Sequence, residues 1–584
     1  MITVAGALLG LALLRAGLSP AVAYAAQLVV ATEVAFLVMR TRWLRFHAAR
    51  ATGAAIGLGG FPLLADVIGP MPAYWLLTLV VLGVDAVLDR HWSVRAGRGR
   101  HAAASRPARV LPVVGTGLLG AYAVTARLDA VLAVISLVML TVAITTLVFQ
   151  LYKWWTPEHN DPGRYGEPDA PRLPGVILVP MRHEESVAAN TLERLAGLRH
   201  PNYLVVPIID HPDDPGTAAI AHDVARRHPG RVVVCRYPED TDVHNKPIAL
   251  NAAIAMLQGA GVRYEWVGVA DAEDLFHPDL LRMVDYRFRT TGAGIVQCGV
   301  QLMNFASDHR GQPVPAGAGG RLRRWWRSNT SAWWRAANVL EYYKWFQSRL
   351  KLQAAIGVMP LGGNTVFFRR GFLEALHRRS GRYWDEACLT EDCKIGIVAS
   401  VLGYSVDVVY VDAMVTQEET PGSLPAFVRQ RVRWMQGFIQ VFGERDWLWL
   451  PTLTQRVLAV YVLGFQFFQA LTGLLAPVAL AVALTYKAPI VITLVATLPL
   501  GLSALNIVLD VVLLAQFTRA FRVRARLRDY AGLVLGAYPY QIVLSIAAVW
   551  ATCRFLTGRN DWVKTVHHGA HLPQPVPTPI GVAA

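Results

Sequence analysis

Four long apolar stretches constrain the fold of this chain more than any other feature of its sequence. They lie near residues 2–39, 53–88, 110–151 and 456–556. A helix needs about 20 consecutive apolar residues to cross the hydrocarbon core of a bilayer, and each stretch is long enough for at least one crossing. The segment at roughly 172–445 has the mixed composition of a water-soluble α/β domain. We therefore expect this domain to be inserted between N-terminal and C-terminal bundles of transmembrane helices.

The charged residues indicate a membrane protein and argue against nucleic-acid binding. The net charge is +15, but charged residues make up only 17% of the chain and hydrophobic residues 54%. Many arginines flank the apolar stretches, at 40–50, 90–109 and 519–528, which is the positive-inside pattern of cytosolic loops. No basic motif with interleaved aromatic residues matches a nucleic-acid-binding module. We expect a multi-pass protein of the plasma membrane, in contact with lipid, whose soluble domain is cytosolic.

These features divide the chain into five predicted segments. They are an N-terminal transmembrane region at 1–154 with five or six spans, a linker at 155–171, an α/β domain at 172–450, a C-terminal transmembrane region at 451–556 with three or four spans, and a tail at 557–584. Within the domain, residues 321–347 are basic and aromatic. Two interpretations fit them equally well: an amphipathic helix at the membrane surface, or a loop packed on the domain.

Strands and helices alternate through the first half of the predicted domain. Apolar runs typical of buried strands lie at 176–181, 203–210, 232–235 and 266–271. Helical segments separate them, at 186–198, 216–228 and 246–258. This alternation predicts a doubly wound, Rossmann-like parallel sheet. Ligands bind such sheets at the carboxyl ends of the strands, and Asp210 and Asp271 each stand at the end of a strand.

Two acidic clusters are candidates for chemistry. DAED at 271–274 offers three carboxylates, of Asp271, Glu273 and Asp274, directly after a buried strand. Such oxygen ligands suit Mg²⁺ or Mn²⁺ bound to a phosphorylated substrate. The alternative is an acidic turn that caps the next helix. LTED at 389–392 precedes an apparently amphipathic helix, so Asp392 is either a general base or part of a helix cap.

Polar side chains on helices and in a glycine turn complete the set. In QRVRW at 430–434, spacings of three and four residues place Gln430, Arg433 and Trp434 on one side of a helix. Arg433 could grip a pyrophosphate and Trp434 could face a sugar ring, although a membrane-interface helix would show similar residues. Lys246 begins a helix whose N-terminus favours phosphate. The glycines of LGGN at 361–364 suit a backbone that closely approaches a ligand.

Together these residues resemble the membrane-integrated branch of glycosyltransferase family 2, which includes cellulose and hyaluronan synthases. The resemblance covers about residues 172–445 and extends to the flanking spans. Four motifs carry it, in chain order: IIDHPDD with Asp210, then DAED, TED and QxxRW. It implies a GT-A-type catalytic domain that binds a nucleotide-sugar donor, with a UDP-sugar as the first choice, and a divalent cation, Mg²⁺ or Mn²⁺.

The family's motifs also imply a role for each candidate residue. Asp210 would contact the uracil or ribose of the donor, but IIDHPDD differs from a plain DDG, so Asp213 or Asp214 could share that role. Asp271 would bind the cation, together with Glu273 or Asp274. Asp392 would be the catalytic base. The other implied substrate contacts are Lys246, Glu391, Gln430, Arg433 and Trp434.

The reaction implied by the resemblance is a single inverting displacement at the sugar. We expect the acceptor to be a hydroxyl of a growing β-linked polysaccharide, with coupled export through the membrane spans. The alternative is a single transfer to a lipid-linked acceptor, which needs the same donor site but no channel. The sequence names neither the sugar nor the linkage.

Overall fold

The computed structural model describes residues 128–155, 170–209, 213–238, 244–303, 332–485 and 490–559. Several predictions fall outside these residues. They are the N-terminal spans before residue 128, most of the linker, Asp210, the first part of the basic aromatic segment and the tail from residue 560.

Helices and strands are numbered in chain order. The strands are β1 (Gly175–Met181), β2 (Tyr203–Ile209), β3 (Cys235–Arg236), β4 (Trp266–Val269), β5 (Ile295–Cys298), β6 (Val300–Leu302), β7 (Val366–Arg369), β8 (Val406–Val409) and β9 (Thr416–Glu418). The α-helices are α1 (Leu128–Trp155), α2 (Ala188–Ala196), α3 (Pro215–Arg227), α4 (Lys246–Gly259), α5 (Leu280–Thr291), α6 (Ala332–Lys344), α7 (Leu350–Ile356), α8 (Arg370–Ser380), α9 (Glu391–Val401), α10 (Leu424–Glu444), α11 (Leu453–Thr485), α12 (Ile490–Ala520) and α13 (Leu527–Thr557).

A seven-stranded sheet in the order β3-β2-β1-β4-β7-β5-β8 forms the centre of the domain. The predicted strands β1 to β4 are parallel to one another, as expected. The prediction of an all-parallel sheet is wrong, because β7 runs antiparallel to both β4 and β5. The chain enters β7 from the turn at 362–364, which lies at the carboxyl edge of the sheet, so the strand must run back through it.

Both faces of the sheet are covered, which explains why its strands are continuously apolar. Val176 and Leu178 of β1 pack with one cluster, which includes residues of α4, α8 and α9. Ile177 and Val179 of the same strand pack with a second cluster, which includes residues of α2, α3 and α5. Alternate side chains therefore enter two different cores, as in a strand buried on both sides.

The described part of the basic aromatic segment, residues 332–347, begins with helix α6. Trp334, Val339, Leu340 and Tyr343 are buried, and most of them belong to the same core as the sheet. A five-residue π-helix, Trp345–Arg349, continues α6 into α7. From residue 332 onward the segment packs on the domain and is not an exposed surface helix.

Long apolar helices flank the domain. Among the described residues, three segments have the length and composition needed to cross a membrane: Ile135–Trp155 of α1, Leu498–Ala520 of α12 and Leu527–Thr557 of α13. A polar contact ties two of them to the domain, because Asp510 of α12 accepts hydrogen bonds from Gln150 of α1 and from Lys344 of α6, each at 2.8 Å. In the C-terminal region the described residues form three long helices, α11 to α13, and the number of spans there stays a prediction.

Candidate active site

A cavity opens at the carboxyl edge of the large sheet. Residues from the ends of β1, β2 and β4, the first turns of α4 and α9, and one side of α10 line it. Most of the predicted site residues are among its lining: Lys246, Asp271, Glu273, Glu391, Asp392, Gln430, Arg433 and Trp434. Asp274 is not. The structure thus brings these side chains together, while the role of each stays a prediction.

Lys246 is held at the start of helix α4, facing Asp271. Asn245 caps the helix, because its side chain accepts the N–H of Ile248 at 3.0 Å. Lys246 Nζ donates to Asp271 Oδ1 at 2.5 Å and to the carbonyl of Gly363 at 2.8 Å. Burial alone would lower the pKa of Lys246, but nearby carboxylates, led by Asp271, raise it above its usual value. Lys246 is therefore a fixed positive charge in the cavity.

The carboxylates of the DAED turn separate into two roles. Asp271 and Glu273 line the cavity. Asp274 is fully buried, and it accepts the N–H of Asp271 at 2.8 Å and the side-chain amide of Asn364 at 3.0 Å. Burial, and next the charge of Glu418, raises the pKa of Asp274 well above its usual value. Asp274 holds the turn in place and does not line the cavity, while the choice of Glu273 or Asp274 as the metal ligand beside Asp271 stays a prediction.

Asp392 reaches the cavity from the first turn of α9, beside a glycine that leaves room for it. Its Oδ1 accepts the N–H of Cys393 at 2.7 Å, and a helix N-terminus favours a negative charge. Gly363 has a φ of 81°, and a Cβ atom there would lie 2.5 Å from Asp392 Oδ2. The sequence predicts that this glycine turn brings the backbone close to a ligand. In the structure the turn lies close to the side chain of Asp392, the candidate base.

Glu391, which is buried, and Asp392, which is half-buried, are adjacent carboxyls with raised pKa values. Burial, followed by the charge of Asp392, raises the pKa of Glu391 to about 8. Burial also raises the pKa of Asp392, against the N–H of Cys393 and the positive charges of Lys246 and Arg433. Two interacting groups lose their protons in shared steps. A carboxylate with a raised pKa is a better proton acceptor near neutral pH.

Helix α9 is buried on nearly all sides, and the prediction of an amphipathic helix is wrong here. Gly396 lies against the carbonyl of Met359, and Gly437 of α10 lies against the side chain of Thr390, each too close for a Cβ atom. The helix is enclosed by its neighbours, so its apolar residues need not keep to one stripe. Its N-cap residue is Thr390, so both carboxylates lie within its first turn and do not cap it.

Helix α10 presents one side to the cavity and the other to apolar helices. Gln430, Arg433 and Trp434 line the cavity. No described residue donates a hydrogen bond to the buried Oε1 of Gln430. Burial lowers the pKa of Arg433, opposed by the carboxylates of Glu391, Asp271 and Asp392. The opposite side packs with α11 and α13 through Phe427, Val432 and Met435. The two sides of this helix thus have different surroundings, and the roles of Gln430, Arg433 and Trp434 stay predictions.

Sequence reasoning missed several residues at the two ends of the cavity. One end includes Tyr237 and His244, whose rings lie 5.3 Å apart. The other end includes Tyr342 and the segment 418–421. His244 stands two positions before Lys246, so the HNK sequence offered a signal for it. Tyr342 and residues 418–421 carry no motif, and only the fold brings them to the cavity.

A second group of potential metal ligands lies apart from the DAED turn. Ligand atoms of His183, Glu185 and Asp214 lie within 4.8 Å of one another. Asp214 is buried and already accepts the backbone N–H groups of His183 and Thr217, at 2.5 and 3.1 Å, so that it caps α3. Neither Asp213 nor Asp214 lines the cavity, and a share of either in the role of Asp210 stays a prediction.

The comparisons with known proteins concern the same region. Residues 171–437 match the family model described as "Glycosyltransferase like family 2". The β-monoglucosyldiacylglycerol synthase of Synechocystis sp. is 26% identical over 437 residues, which is 74% of this chain and 82% of that protein.

Solved structures of lower identity also align. The mannosyltransferase PcManGT from Pyrobaculum calidifontis, in complex with GDP-Man and Mn²⁺, is 16% identical with a TM-score of 0.39, covering 73% of this chain and 99% of that one. S. aureus TarS 1–349 in complex with UDP-GlcNAc is 13% identical with a TM-score of 0.30, covering 66% and 90%.

The family model covers the whole large sheet and every described residue of the predicted site. Residues 171–437 are therefore a glycosyltransferase family 2 domain built on a mixed sheet, and the protein is a glycosyltransferase.

Proposed function

We propose that the protein transfers a hexose from a nucleotide-sugar, a UDP-sugar first of all, to a hydroxyl group of a membrane lipid, with inversion at the sugar. One observation carries the proposal. A candidate base, Asp392, two fixed cations, Lys246 and Arg433, and a carboxylate pair, Asp271 with Glu273, line a single cavity. This is the set of groups that a transfer from a diphosphate leaving group requires.

The carboxylate pair fits a divalent cation. Asp271 and Glu273 offer hard oxygen ligands on one side of the cavity, as Mg²⁺ and Mn²⁺ prefer, and leave other positions for phosphate oxygens. Such an ion, when bound, would offset the negative charge of the diphosphate. Lys246 and Arg433 add positive charge that the protein itself holds in place, so less reorganisation is needed when the leaving group departs.

Asp392 would take the proton of the acceptor hydroxyl as that oxygen attacks the sugar. Gln430, whose Oε1 faces the same cavity, would bind the donor or the acceptor. Trp434 and Tyr342, with ring centroids 6.2 Å apart, would bind the acceptor. At the other end, Tyr237 and His244 would contact the nucleoside, together with Asp210.

A lipid acceptor is the alternative of the sequence prediction, and two observations support it. The relative from Synechocystis is named for the synthesis of monoglucosyldiacylglycerol, which is a glycolipid and not a polysaccharide. Helix α10 also lies between the cavity and the apolar helices α11 and α13. An acceptor anchored in the membrane would therefore meet the site where Trp434 and Tyr342 stand.

The fold also supports a cytosolic domain. The loop between α12 and α13 is rich in arginine, with five of them in residues 519–528. Phe521, Val523 and Ala525 of this loop pack against the core of the catalytic domain. The loop and the domain are thus on the same side, and the positive-inside rule assigns a loop of this composition to the cytosol.

Product analysis tests the acceptor. The purified protein in lipid nanodiscs that contain diacylglycerol would be supplied with UDP-glucose, UDP-galactose, UDP-N-acetylglucosamine or GDP-mannose and Mn²⁺. We expect mass spectrometry to find one hexose on the lipid. Nanodiscs without diacylglycerol are the control. A ladder of products many sugars long, formed equally in both preparations, would overturn the lipid proposal and support the polysaccharide expectation.

A further inference from the structure

Arg431 stands behind the wall of the cavity and packs against Trp434. Its guanidinium carbon lies 4.5 Å from the centroid of the Trp434 ring, within the range of a cation–π contact. The residue is only 6% exposed and does not line the cavity. Trp434 does line it, so Arg431 can act on a ligand through this indole.

A network of polar groups fixes Arg431 in turn. Its two terminal nitrogens donate to Glu341 at 3.0 and 3.1 Å, and one of them also donates to Asn338 at 2.7 Å. Tyr540 of helix α13 donates to Glu341 at 2.6 Å. A bidentate Arg–carboxylate pair is directional, so residues of α6 and α13 set the orientation of the guanidinium group. The indole of Trp434 packs against the guanidinium in this orientation.

We propose that Arg431 is a positioning residue, which holds the indole of Trp434 in the orientation that binds the acceptor, and that Glu341 and Tyr540 hold Arg431. This inference rests on the proposed function for the identity of the acceptor. Lysine could not replace Arg431, because a lysine ammonium cannot pair with Glu341 and Asn338 and also lie flat on an indole. Through Tyr540, the helix α13 contributes to the orientation of a cavity residue.

Kinetics with separate donor and acceptor titrations test the role. In Arg431→Gln and Arg431→Lys, we expect the KM for diacylglycerol to rise about tenfold, since a partly buried cation–π contact is lost. The KM for the donor and the affinity for its nucleotide diphosphate should stay unchanged. Arg429→Gln is the matched control, because Arg429 is exposed on the same helix. Tyr540→Phe should give a smaller change in the same direction.

A second readout needs no activity. The protein would be labelled with fluorotryptophan, and the Trp434 resonance would be assigned with Trp434→Phe, since the chain has 17 tryptophans. We expect this resonance to shift or broaden in Arg431→Gln and to stay in place in Arg429→Gln.

The outcomes separate the two proposals. An unmoved Trp434 resonance, or donor and acceptor KM values that change together, would overturn the inference about Arg431. A wild-type protein that glycosylates no lipid would overturn the proposed acceptor, while the fluorine spectrum would still decide whether Arg431 positions the indole.

Discussion

Replacing Gly363 by alanine should remove most of the activity while leaving the fold intact. A Cβ atom at this position would lie 2.5 Å from Asp392 Oδ2, whereas ordinary contact begins at 3.4 Å. The difference, 3.4 minus 2.5, is 0.9 Å, and the carboxylate of Asp392 must move by about that distance. Because Asp392 is the candidate base, the substitution displaces the group that must meet the acceptor hydroxyl.

The expected magnitude follows from two separate costs. A displacement of about 1 Å in a reacting group lowers the rate about 100-fold. Alanine at a φ of 81° should also lower the free energy of unfolding by roughly 1–2 kcal/mol. Only the second cost is a matter of backbone conformation. A control with the same conformation but open space around the Cβ atom would therefore separate the two.

Gly381 provides that control. Its φ is 74°, and nothing lies within 4 Å of a Cβ atom built there. Nucleotide diphosphate release and chemical unfolding would be measured for Gly363→Ala and Gly381→Ala. We expect similar losses of stability in both but a large loss of turnover only in Gly363→Ala. Equal turnover in the two variants would show that the contact with Asp392 does not matter, and would refute this reasoning.

Three further predictions concern charge at the site. Asp392 ionises before Glu391, because burial and the charge of Asp392 raise the pKa of Glu391 to about 8. Glu391→Gln therefore replaces a group that is still protonated when Asp392 ionises, and the acid limb of the pH profile of kcat/KM should stay in place. A limb that moves to lower pH would contradict this order of ionisation. Asp274→Ala leaves the N–H of Asp271 without its acceptor and should lower the free energy of unfolding by about 1–3 kcal/mol. The control is Asp213→Ala, at an exposed position, which should lower it by less than about 0.5 kcal/mol. Equal values in the two variants would show that Asp274 does not stabilise the turn. Chelation with EDTA should stop turnover, and Mn²⁺ should restore it; full activity in EDTA would show that the reaction needs no divalent cation. With the ion present, Lys246→Gln should still lower kcat about 100-fold or more.

The sequence predicted what depends on local pattern. The apolar runs of β1, β2 and β4 and the helices after them are marked by continuous hydrophobicity and by caps such as Asn245. The residues that follow such strands must lie at one edge of the sheet. This explains why Lys246 and Asp271, although 25 positions apart, could be expected in one site before they were seen to form an ion pair.

The remainder depends on contacts between distant segments. Nothing in the sequence of β7 indicates that it runs antiparallel between β4 and β5. A side-chain partner of the buried Asp274 is Asn364, which is 90 positions away. The packing of Arg431 depends on Glu341, also 90 positions away. The burial of α9 depends on α10, and its composition alone does not reveal which side is enclosed.

The most direct test of the account is donor turnover by the wild-type protein beside Asp392→Asn. Purified protein in nanodiscs with diacylglycerol would receive each nucleotide-sugar with Mn²⁺, and nucleotide diphosphate release would be followed. Asp385→Asn is the control, since Asp385 pairs with Lys394 and does not line the cavity. The account predicts release with one donor, retained in Asp385→Asn and lost in Asp392→Asn. Release that survives Asp392→Asn would contradict the assignment of Asp392 as the base, and with it the proposed mechanism.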